Sequence, residues 1–330
     1  MKEIVDSKIL SKVEKEAGIK IAKLSDLKKS NDYKVDIIPT GSLLLDMKLG
    51  CGGWPRGRII EIYGPESGGK TTLALLAIAQ AQKMGLNALF VDAENAFDEE
   101  FAKGTGVDVE NIYYTSPDYA EQAFYAIEEH LDSKSFGVIV IDSVTALVPK
   151  AEYEGTLEDE HYAPLARIMS RALNRLSKKI SASNTLVIFI NQTRENIGQR
   201  WGNPETTPGG KALKFYSSVR LRVNIKNAEL VYDDKKNVIG VRPTVKIMKN
   251  KVGPPLGEIQ YELVFGKGIN DEANILDIAT ELGIISKEGN TYYYNKEKLE
   301  VGEQKTKDLI LKDEKIKKAI LKDINKNFGR

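Results

Sequence analysis

The segment Gly64-Pro65-Glu66-Ser67-Gly68-Gly69-Lys70-Thr71 fits G-x-x-x-x-G-K-[ST], and no other feature of the 330-residue chain restricts its fold as much. A loop of this kind needs a strand before it and a helix after it. RIIEIY at 58–63 reads as the strand, and Thr72 to Lys83 as an apolar helix ended by Gly85. A chance Gly-rich turn would lack those flanks. The glycines let backbone wrap closely around phosphates, and the N–H groups of a helix start favour anionic charge. Lys70 is then placed to reach the β and γ phosphates of ATP, and the Thr71 hydroxyl to ligate Mg2+.

Further apolar runs, ALFVD at 88–92, GVIVID at 137–142 and TLVIFINQ at 185–192, alternate with segments long enough for crossover helices. Their near-continuous apolar character predicts strands buried on both faces of a parallel sheet, an α/β domain. From about Val219, VRLRVNI, VIGVRPTVKIMKNK and IQYELVF read as an antiparallel extension with turns at Asp233-Asp234 and Pro254-Pro255. The expected organisation is an N-terminal helix over 1–34, with Val5, Ile9, Val13 and Ala17 at helical spacing, a core over 35–268, and a smaller α+β unit over 269–330. That last unit carries helical patterns around Ala273 to Leu282 and from Lys305, with a TYYY strand between.

Basic and acidic residues number 48 and 47, a net charge of +1, so any site for a polyanion has to be local. Cys51 is the only cysteine, which excludes an intrachain disulfide and a Cys-rich zinc site and fits a reducing, cytoplasmic setting. The charge-interrupted N-terminus lacks the apolar stretch of a signal peptide, and no run reaches the length of a membrane span.

Asp142 ends an apolar strand at the sheet edge expected to hold the loop, where a magnesium-side carboxylate is expected; the lesser reading, an N-cap before Ser143, does not exclude that role. Glu94, just past a strand in VDAEN, fits a carboxylate that orients or deprotonates water, or a helix cap. Gln192 and Arg194 follow the strand 185–191 at the same edge, where an amide suits sensing of a γ-phosphate. The polar, Gly-rich stretch RENIGQRWGNPETTPGG is too long for a simple connection and reads as a functional loop. Arg167, Arg171, Arg175 and Lys179 recur every fourth residue on a predicted helix, with Leu165, Ile168, Leu176 and Ile180 for its other side. Such a stripe is a solvated face or a track for a polyanion. Lys249 and Lys251, two apart on a predicted strand, share a face and by themselves are exposed lysines.

GPESGGKTTL, VDAENAFD, VIVIDSVTALVPKAEYEG, NTLVIFINQTR, GNPETTPGGKALKFYSSVRL and KNK, in this order and spacing, resemble the bacterial RecA recombinases densely over about 35–268 and more loosely beyond. The resemblance implies a RecA-type P-loop ATPase core with a mostly parallel central sheet, an N-terminal interface helix and a small α+β C-terminal domain. It implies a homo-oligomeric helical filament on single-stranded DNA that pairs with double-stranded DNA, exchanges strands and hydrolyses ATP with Mg2+. Glu94 becomes the catalytic carboxylate, Asp142 the magnesium-side one and Gln192 the γ-phosphate sensor. Asp98 and Phe101 fall at adenine-contacting positions, and Thr72 closes the phosphate loop. Lys249 and Lys251 match lysines that reach a neighbour's ATP, and Phe215 matches an interface residue. Glu152 to Tyr162 and Thr193 to Gly210 match two DNA-facing loops, with Arg167, Ser170, Gly209 and Gly210 at backbone-contacting positions. Arg171, Arg175, Arg194, Arg200 and Trp201 join them as DNA-binding candidates.

The chain departs from the family pattern at Asn174, where an arginine is usual, at Tyr162 and Trp201, and at Ala17, where an aromatic is common. It ends in KAILKDINKNFGR rather than an acidic run, which implies weaker restraint on duplex access. A RecA-fold hexameric helicase and a nucleotide-gated coat for single strands are the other functions such a chain could serve. Ring against filament, and formation of joint molecules, separate the three.

Overall fold

In the computed structural model the described residues are 7–19, 21–29, 35–156, 164–195, 205–233 and 235–328. They fall into two compact units, Met1–Asp36 and Ile37–Arg330. The first holds helices α1 (Ser7–Ala17) and α2 (Leu24–Lys29). Of the four apolar positions expected on one helical face, Val5 lies outside the described residues and Ile9 is 60% exposed.

The second unit opens with β1 (Ile37–Ile38), α3 (Leu43–Leu49) and β2 (Trp54–Pro55), the two short strands pairing antiparallel. Strands and helices then alternate: β3 (Ile59–Gly64), α4 (Lys70–Lys83), β4 (Ala88–Asp92), α5 (Glu99–Gly104), β5 (Tyr113–Thr115), α6 (Ala120–Ser133), β6 (Val138–Asp142), α7 (Lys150–Glu154), α8 (Pro164–Ser183) and β7 (Leu186–Gln192). Every residue of β3, β4 and β6 is buried, as is all of β7 except Gln192. Helices cover both faces, so these strands have no solvent side and their apolar runs are continuous. Two apolar clusters divide the strands by alternation. Ile60, Ile62, Val138, Val140, Ile188 and Ile190 pack with α4, whereas Ile59, Ile139, Ile141, Val187 and Phe189 pack with α6 and α8.

Short strands β8 (Arg194–Glu195) and β9 (Glu205–Thr206) pair with each other, and α9 (Ala212–Tyr216) leads into the long hairpin β10 (Val219–Tyr232) and β11 (Val238–Asn250). The sheet is completed by β12 (Glu258–Gln260), β13 (Glu262–Val264) and β14 (Gly268–Asn270). Its order is β14-β13-β11-β10-β3-β7-β6-β4-β5, with β12 on β11. From β10 to β5 the pairs are parallel; from β10 to β14 they are antiparallel, as the pattern after Val219 predicts. Pro243, inside β11, sits at a register irregularity opposite β10 between Asn224 and Glu229. A bulge is where a strand accommodates a residue without an N–H.

Residues after β14 form α10 (Ile275–Glu281), a three-stranded antiparallel sheet of β15 (Ile285–Glu288), β16 (Thr291–Tyr294) and β17 (Glu297–Val301), then α11 (Glu303–Lys312) and α12 (Glu314–Phe328). Ile275, Ile278, Tyr292, Ile320 and Ile324 belong to the same apolar cluster as α4 and its side of the central sheet. Asp271 reaches back, its carboxylate accepting from the Leu43 N–H at 3.0 Å.

An ion pair lies buried in the middle of the sheet. Glu61 on β3 is fully buried and accepts from the Arg220 guanidinium on the neighbouring β10, which also lies over the Tyr63 ring at 4.5 Å. Removing one partner of such a pair leaves a buried charge uncompensated. Glu61→Gln is expected to destabilise the protein by about 3–5 kcal/mol in urea denaturation. The double change Glu61→Met with Arg220→Met should recover most of that loss; an unchanged midpoint for Glu61→Gln would show that the pair is solvated.

Candidate nucleotide site

The carboxyl ends of four adjacent strands supply the site. Register pairs Gly64 at the end of β3 with Gln192 at the end of β7, and Asp92 at the end of β4 with Asp142 at the end of β6. The strand before the loop thus runs one residue further than predicted, and the helix after it starts at Lys70, two residues earlier than expected. The shift puts Lys70 and Thr71 in the first helical turn, with their N–H groups among those a helix leaves unpaired. Gly69 caps α4 in the left-handed region without a side-chain hydrogen bond, so no side chain competes for that turn. At Gly64 a Cβ would lie 2.0 Å from the Val223 carbonyl oxygen, so only glycine lets the loop leave the sheet there.

Gly64 to Thr72 therefore forms an anion cradle at a helix N-terminus. Ser67, Gly68, Gly69, Lys70, Thr71 and Thr72 line a cleft of about 240 Å3 with Phe101, Leu263, Val264 and Phe265. The Lys70 ammonium donates to the Pro65 carbonyl at 2.6 Å, and the Thr71 hydroxyl donates to Asp142 Oδ2 at 2.7 Å. Burial holds the Lys70 pKa below the usual ammonium range, against the pull of Asp142, Glu94 and Glu66. Burial likewise pushes Asp142 up to about 6; the Thr71 hydrogen bond and Lys70 oppose the rise, while Glu94 and Asp92 add to it. A buried carboxylate and hydroxyl beside a phosphate cradle form a hard oxygen donor set that fits Mg2+. The cradle and donor set fit a nucleoside triphosphate with that ion.

Glu94 lies at the mouth of the same edge. Its Oε1 accepts from the Ser143 hydroxyl and, at 3.2 Å, from the Gln192 side-chain amide. The turn that carries it is fixed by Asp92, whose carboxylate accepts from the N–H groups of Glu94 at 3.1 Å and Phe97 at 2.9 Å and from the Tyr114 hydroxyl at 3.1 Å. Asp98 caps α5 through the Phe101 N–H at 2.9 Å and lines a second cleft with Phe101, Glu94 and Asp142.

Sequence reasoning passed over the residue that ties these parts together. Asn191 is fully buried; its amide donates to Glu61 at 3.3 Å and to the Pro208 carbonyl at 3.2 Å. Its Oδ1 accepts from the Gln192 N–H at 3.0 Å and from the Thr145 hydroxyl at 3.3 Å. Glu61 and Asn191 were legible as polar residues inside otherwise apolar runs, which burial allows only with partners. Leu263, Val264 and Phe265, by contrast, carry no motif.

The DNA-binding candidates group around the same edge and the adjoining helix. Arg194 pairs in register with Thr206 to make the stem of the predicted loop, while Arg200, Trp201 and Tyr162 lie outside the described residues. Gly209 and Gly210 follow at positive φ, against Val144 and Ala166. On α8, Arg167, Ser170 and Arg171 are exposed, and Met169, Leu173, Leu176 and Ile180 face the core. The lower half of the basic stripe is neutralised: Arg175 pairs with Glu128 at 2.8 Å, and Lys179 with Glu128 at 2.9 Å and Asp132 at 2.5 Å. Asn174 donates to the Tyr216 hydroxyl at 3.0 Å.

Lys249 and Lys251 depart from their predicted arrangement, because β11 ends at Asn250 and leaves Lys251 beyond the strand. The Lys249 ammonium donates to the carbonyls of Lys214 at 2.8 Å and Phe215 at 2.9 Å, closing the end of α9. Phe215 is 66% exposed there. Burial lowers the Lys249 pKa, and Lys251 and Arg220 add to the effect.

Asp142 gives a pH test. Its pKa is 3.8 unfolded and about 6 folded, so the folded chain holds the proton more tightly. The resulting stabilisation is present below the unfolded value and lost as pH rises through about 6. Asp142→Asn does not titrate and keeps an acceptor for Thr71. In the absence of nucleotide it should raise the urea midpoint at pH 7.5, with the gain shrinking as pH falls toward 3.8. A gain that does not vary with pH would refute the assignment.

The chain matches the family model of the RecA N-terminal domain over residues 4–270 and that of the RecA C-terminal domain over 273–329. It is 45% identical over 320 residues to Protein RecA of Bacillus subtilis strain 168, covering 97% of this chain and 90% of that one. To Protein RecA of Francisella tularensis subsp. novicida strain U112 it is 49% identical over 317 residues, covering 94% and 87%. The solved RadB recombinase shares the fold, with a TM-score of 0.54 at 22% identity over 71% of this chain and 99% of that one. The fold, the strand-end site and these matches agree that the chain belongs to the RecA family.

Proposed function

We propose that this protein is an ATP-dependent recombinase that assembles as a helical filament on single-stranded DNA, pairs it with homologous duplex and exchanges strands, hydrolysing ATP as it does so. The observation that carries this reading is the 3.2 Å hydrogen bond from Gln192 to Glu94. It links the carboxylate best placed to act on water to the last residue of the strand that feeds the DNA loop. Lys70 binds the terminal phosphates, Glu94 orients the attacking water and takes its proton, and Gln192 reports the state of the γ-phosphate to the loop stem through Asn191. A bound magnesium ion would be held by Thr71 and Asp142 and would supply charge neutralisation at the phosphates.

Lys249 and Lys251 act on the nucleotide of a neighbouring copy. Lys249 pairs with Arg220, which pairs with Glu61, three residues before the end of β3. At about 3.3 Å per residue this places Lys249 some 10 Å down the sheet from its own phosphate loop. A second copy, stacked head to tail, supplies the missing cation, with the exposed Phe215 beside it at the junction. Arg167, Ser170, Arg171 and Arg194 then face the strand, with the loop stem at Gly209 and Gly210. The lone Cys51 and the lack, among the described residues, of a helix long and apolar enough to cross a membrane suit a cytoplasmic site of action.

Single-stranded DNA should stimulate ATP hydrolysis by the purified chain, and homologous duplex should yield joint molecules; no stimulation defeats the recombinase reading. Lys70→Ala is expected to abolish nucleotide-dependent assembly. Glu94→Gln should slow hydrolysis by about 100-fold or more while keeping nucleotide-dependent DNA binding. Lys251→Ala should leave nucleotide binding by isolated monomers intact and lower hydrolysis only in filaments.

A further inference from the structure

β5 is the last strand of the central sheet and pairs with β4, Phe90 standing opposite Tyr114. Its two tyrosines, Tyr113 and Tyr114, are each about half exposed and point to opposite faces. Tyr113 packs edge-on against Phe136 at 5.1 Å, in the apolar cluster that contains α6. Tyr114 lies on the other face, its ring 5.6 Å from that of Phe97, which stands 5.0 Å from the buried Phe90 ring. The Tyr114 hydroxyl donates to Asp92 Oδ2 at 3.1 Å.

Both contacts bear on one short turn. Residues 93–98 run from the end of β4 to the cap of α5, and Glu94, Asn95, Ala96 and Asp98 among them are exposed. With so little buried side chain, the shape of this turn depends on its hydrogen bonds. The Ala93 and Glu94 N–H groups donate to the Asp142 carbonyl at 2.7 and 3.3 Å, and those of Glu94 and Phe97 to the Asp92 carboxylate at 3.1 and 2.9 Å. The Ser116 hydroxyl, just beyond β5, donates to Asn95 Oδ1. Of the three donors to Asp92, Tyr114 alone comes from outside the turn. The rotation of a carboxylate about its last bond is soft, and two donors on the turn move with it. The phenol does not, because its strand and its ring contact anchor it. Desolvation and the adjacent Asp92 hold the Tyr114 pKa above the usual phenol range, so the hydroxyl keeps the proton it donates.

We infer that Tyr114 is a positioning residue for ATP hydrolysis: through Asp92, its hydroxyl holds the turn in the shape that presents Glu94 to the attacking water. The inference rests on the reading of Glu94 as the carboxylate that acts on water. Without the hydroxyl the turn wanders and Glu94 is misplaced, which slows the chemical step. The phosphate cradle from Gly64 to Thr72 is untouched, so nucleotide binding is preserved.

Steady-state ATP hydrolysis by the full-length chain on single-stranded DNA tests this. Tyr114→Phe keeps the ring on Phe97 and removes the hydroxyl. Its kcat is expected to fall about threefold to tenfold, the worth of one hydrogen bond, with KM within about twofold of the original. In a Glu94→Gln background the same change should lower the remaining rate by less than about twofold, because the group it acts through is already gone. Tyr113→Phe, on the opposite face, should keep kcat within about twofold of the original. In the nucleotide-free chain, Tyr114→Phe should speed hydrogen exchange at the Glu94 and Phe97 amides while leaving β4 and β6 unchanged. An unchanged kcat, a weakening of nucleotide binding that matches the loss of rate, or a full loss repeated on Glu94→Gln overturns the inference. Faster exchange throughout the sheet also overturns it, since the hydroxyl would then serve general stability. A Glu94→Gln chain that hydrolyses ATP at the original rate would instead defeat the reading of Glu94 itself.

Discussion

A parallel sheet covered on both faces has one economical place for charge, the ends of its strands, and the site of this protein follows from that constraint. Ile59 to Tyr63, Ala88 to Val91, Val138 to Ile141 and Leu186 to Ile190 are all buried. Gly64, Asp92, Asp142 and Gln192 come next in each strand or just after it, where the helices no longer cover the sheet. Parallel pairing brings these ends to one edge, and the register of Gly64 with Gln192 and of Asp92 with Asp142 makes them neighbours. A cradle, a carboxylate, a hydroxyl and an amide thus converge from segments far apart in sequence. The convergence carries an electrostatic cost: Asp142 is desolvated enough to sit at about 6, and Lys70 is lowered from the opposite side. Each would lose its charge more readily were the other absent, so their proximity favours both charged forms, whereas Glu94 favours the Lys70 ammonium and opposes the Asp142 carboxylate.

That constraint also explains which parts of the molecule could be read from the sequence. The four apolar runs announced buried strands because nothing polar interrupted them for long, and the Gly-Lys-Thr signature sits at the one junction where a helix must begin next to an anion. The antiparallel extension after Val219 was legible from its alternation and turn residues. The errors were local. The helix began at Lys70 because Gly69, in the left-handed region, can cap it, and the residue pattern alone does not give φ. Lys251 fell outside β11 because the strand stops at Asn250, whose side-chain oxygen accepts from the Val252 N–H at 3.0 Å and so begins a turn. Periodicity alone gave the basic stripe on α8, whereas Glu128 and Asp132 on α6, which neutralise its lower half, lie about 47 residues away in sequence and come near only through packing.

Contacts between backbones were the least legible. Nothing in GKGIN or EEFAKG indicates that Gly104 and Gly266 touch, because a close approach depends on two segments meeting in three dimensions. Glu61 was the opposite case, since a charged residue in the middle of RIIEIY demands a buried partner. Its partner Arg220 lies 159 positions away, and only the order β10-β3-β7 identifies it. Through Asn191, which bonds to Glu61, to the Pro208 carbonyl and to the Gln192 N–H, this central ion pair joins the strand that ends in Gln192 to the stem of the loop. Hydrogen bonds thus connect the strand-end site to the loop stem through Glu61, Asn191, Gln192 and Pro208.

The placement of the two cationic groups has a consequence for assembly. Lys70 sits at the carboxyl edge of the sheet, whereas Lys249 lies level with Glu61 in the middle of β3, bonded to the end of α9 beside the exposed Phe215. If both serve one nucleotide, as proposed, they must come from different copies, and the surface presented by one copy differs from the surface it meets. Such a heterologous contact cannot form a closed pair by two-fold symmetry. Repeated with a constant rotation and rise, it gives a ring where the rotation closes and a helical filament where it does not. A nucleotide site completed by a neighbouring copy, as proposed, would make polymerisation a condition of full catalysis and nucleotide occupancy a condition of a well-formed polymer.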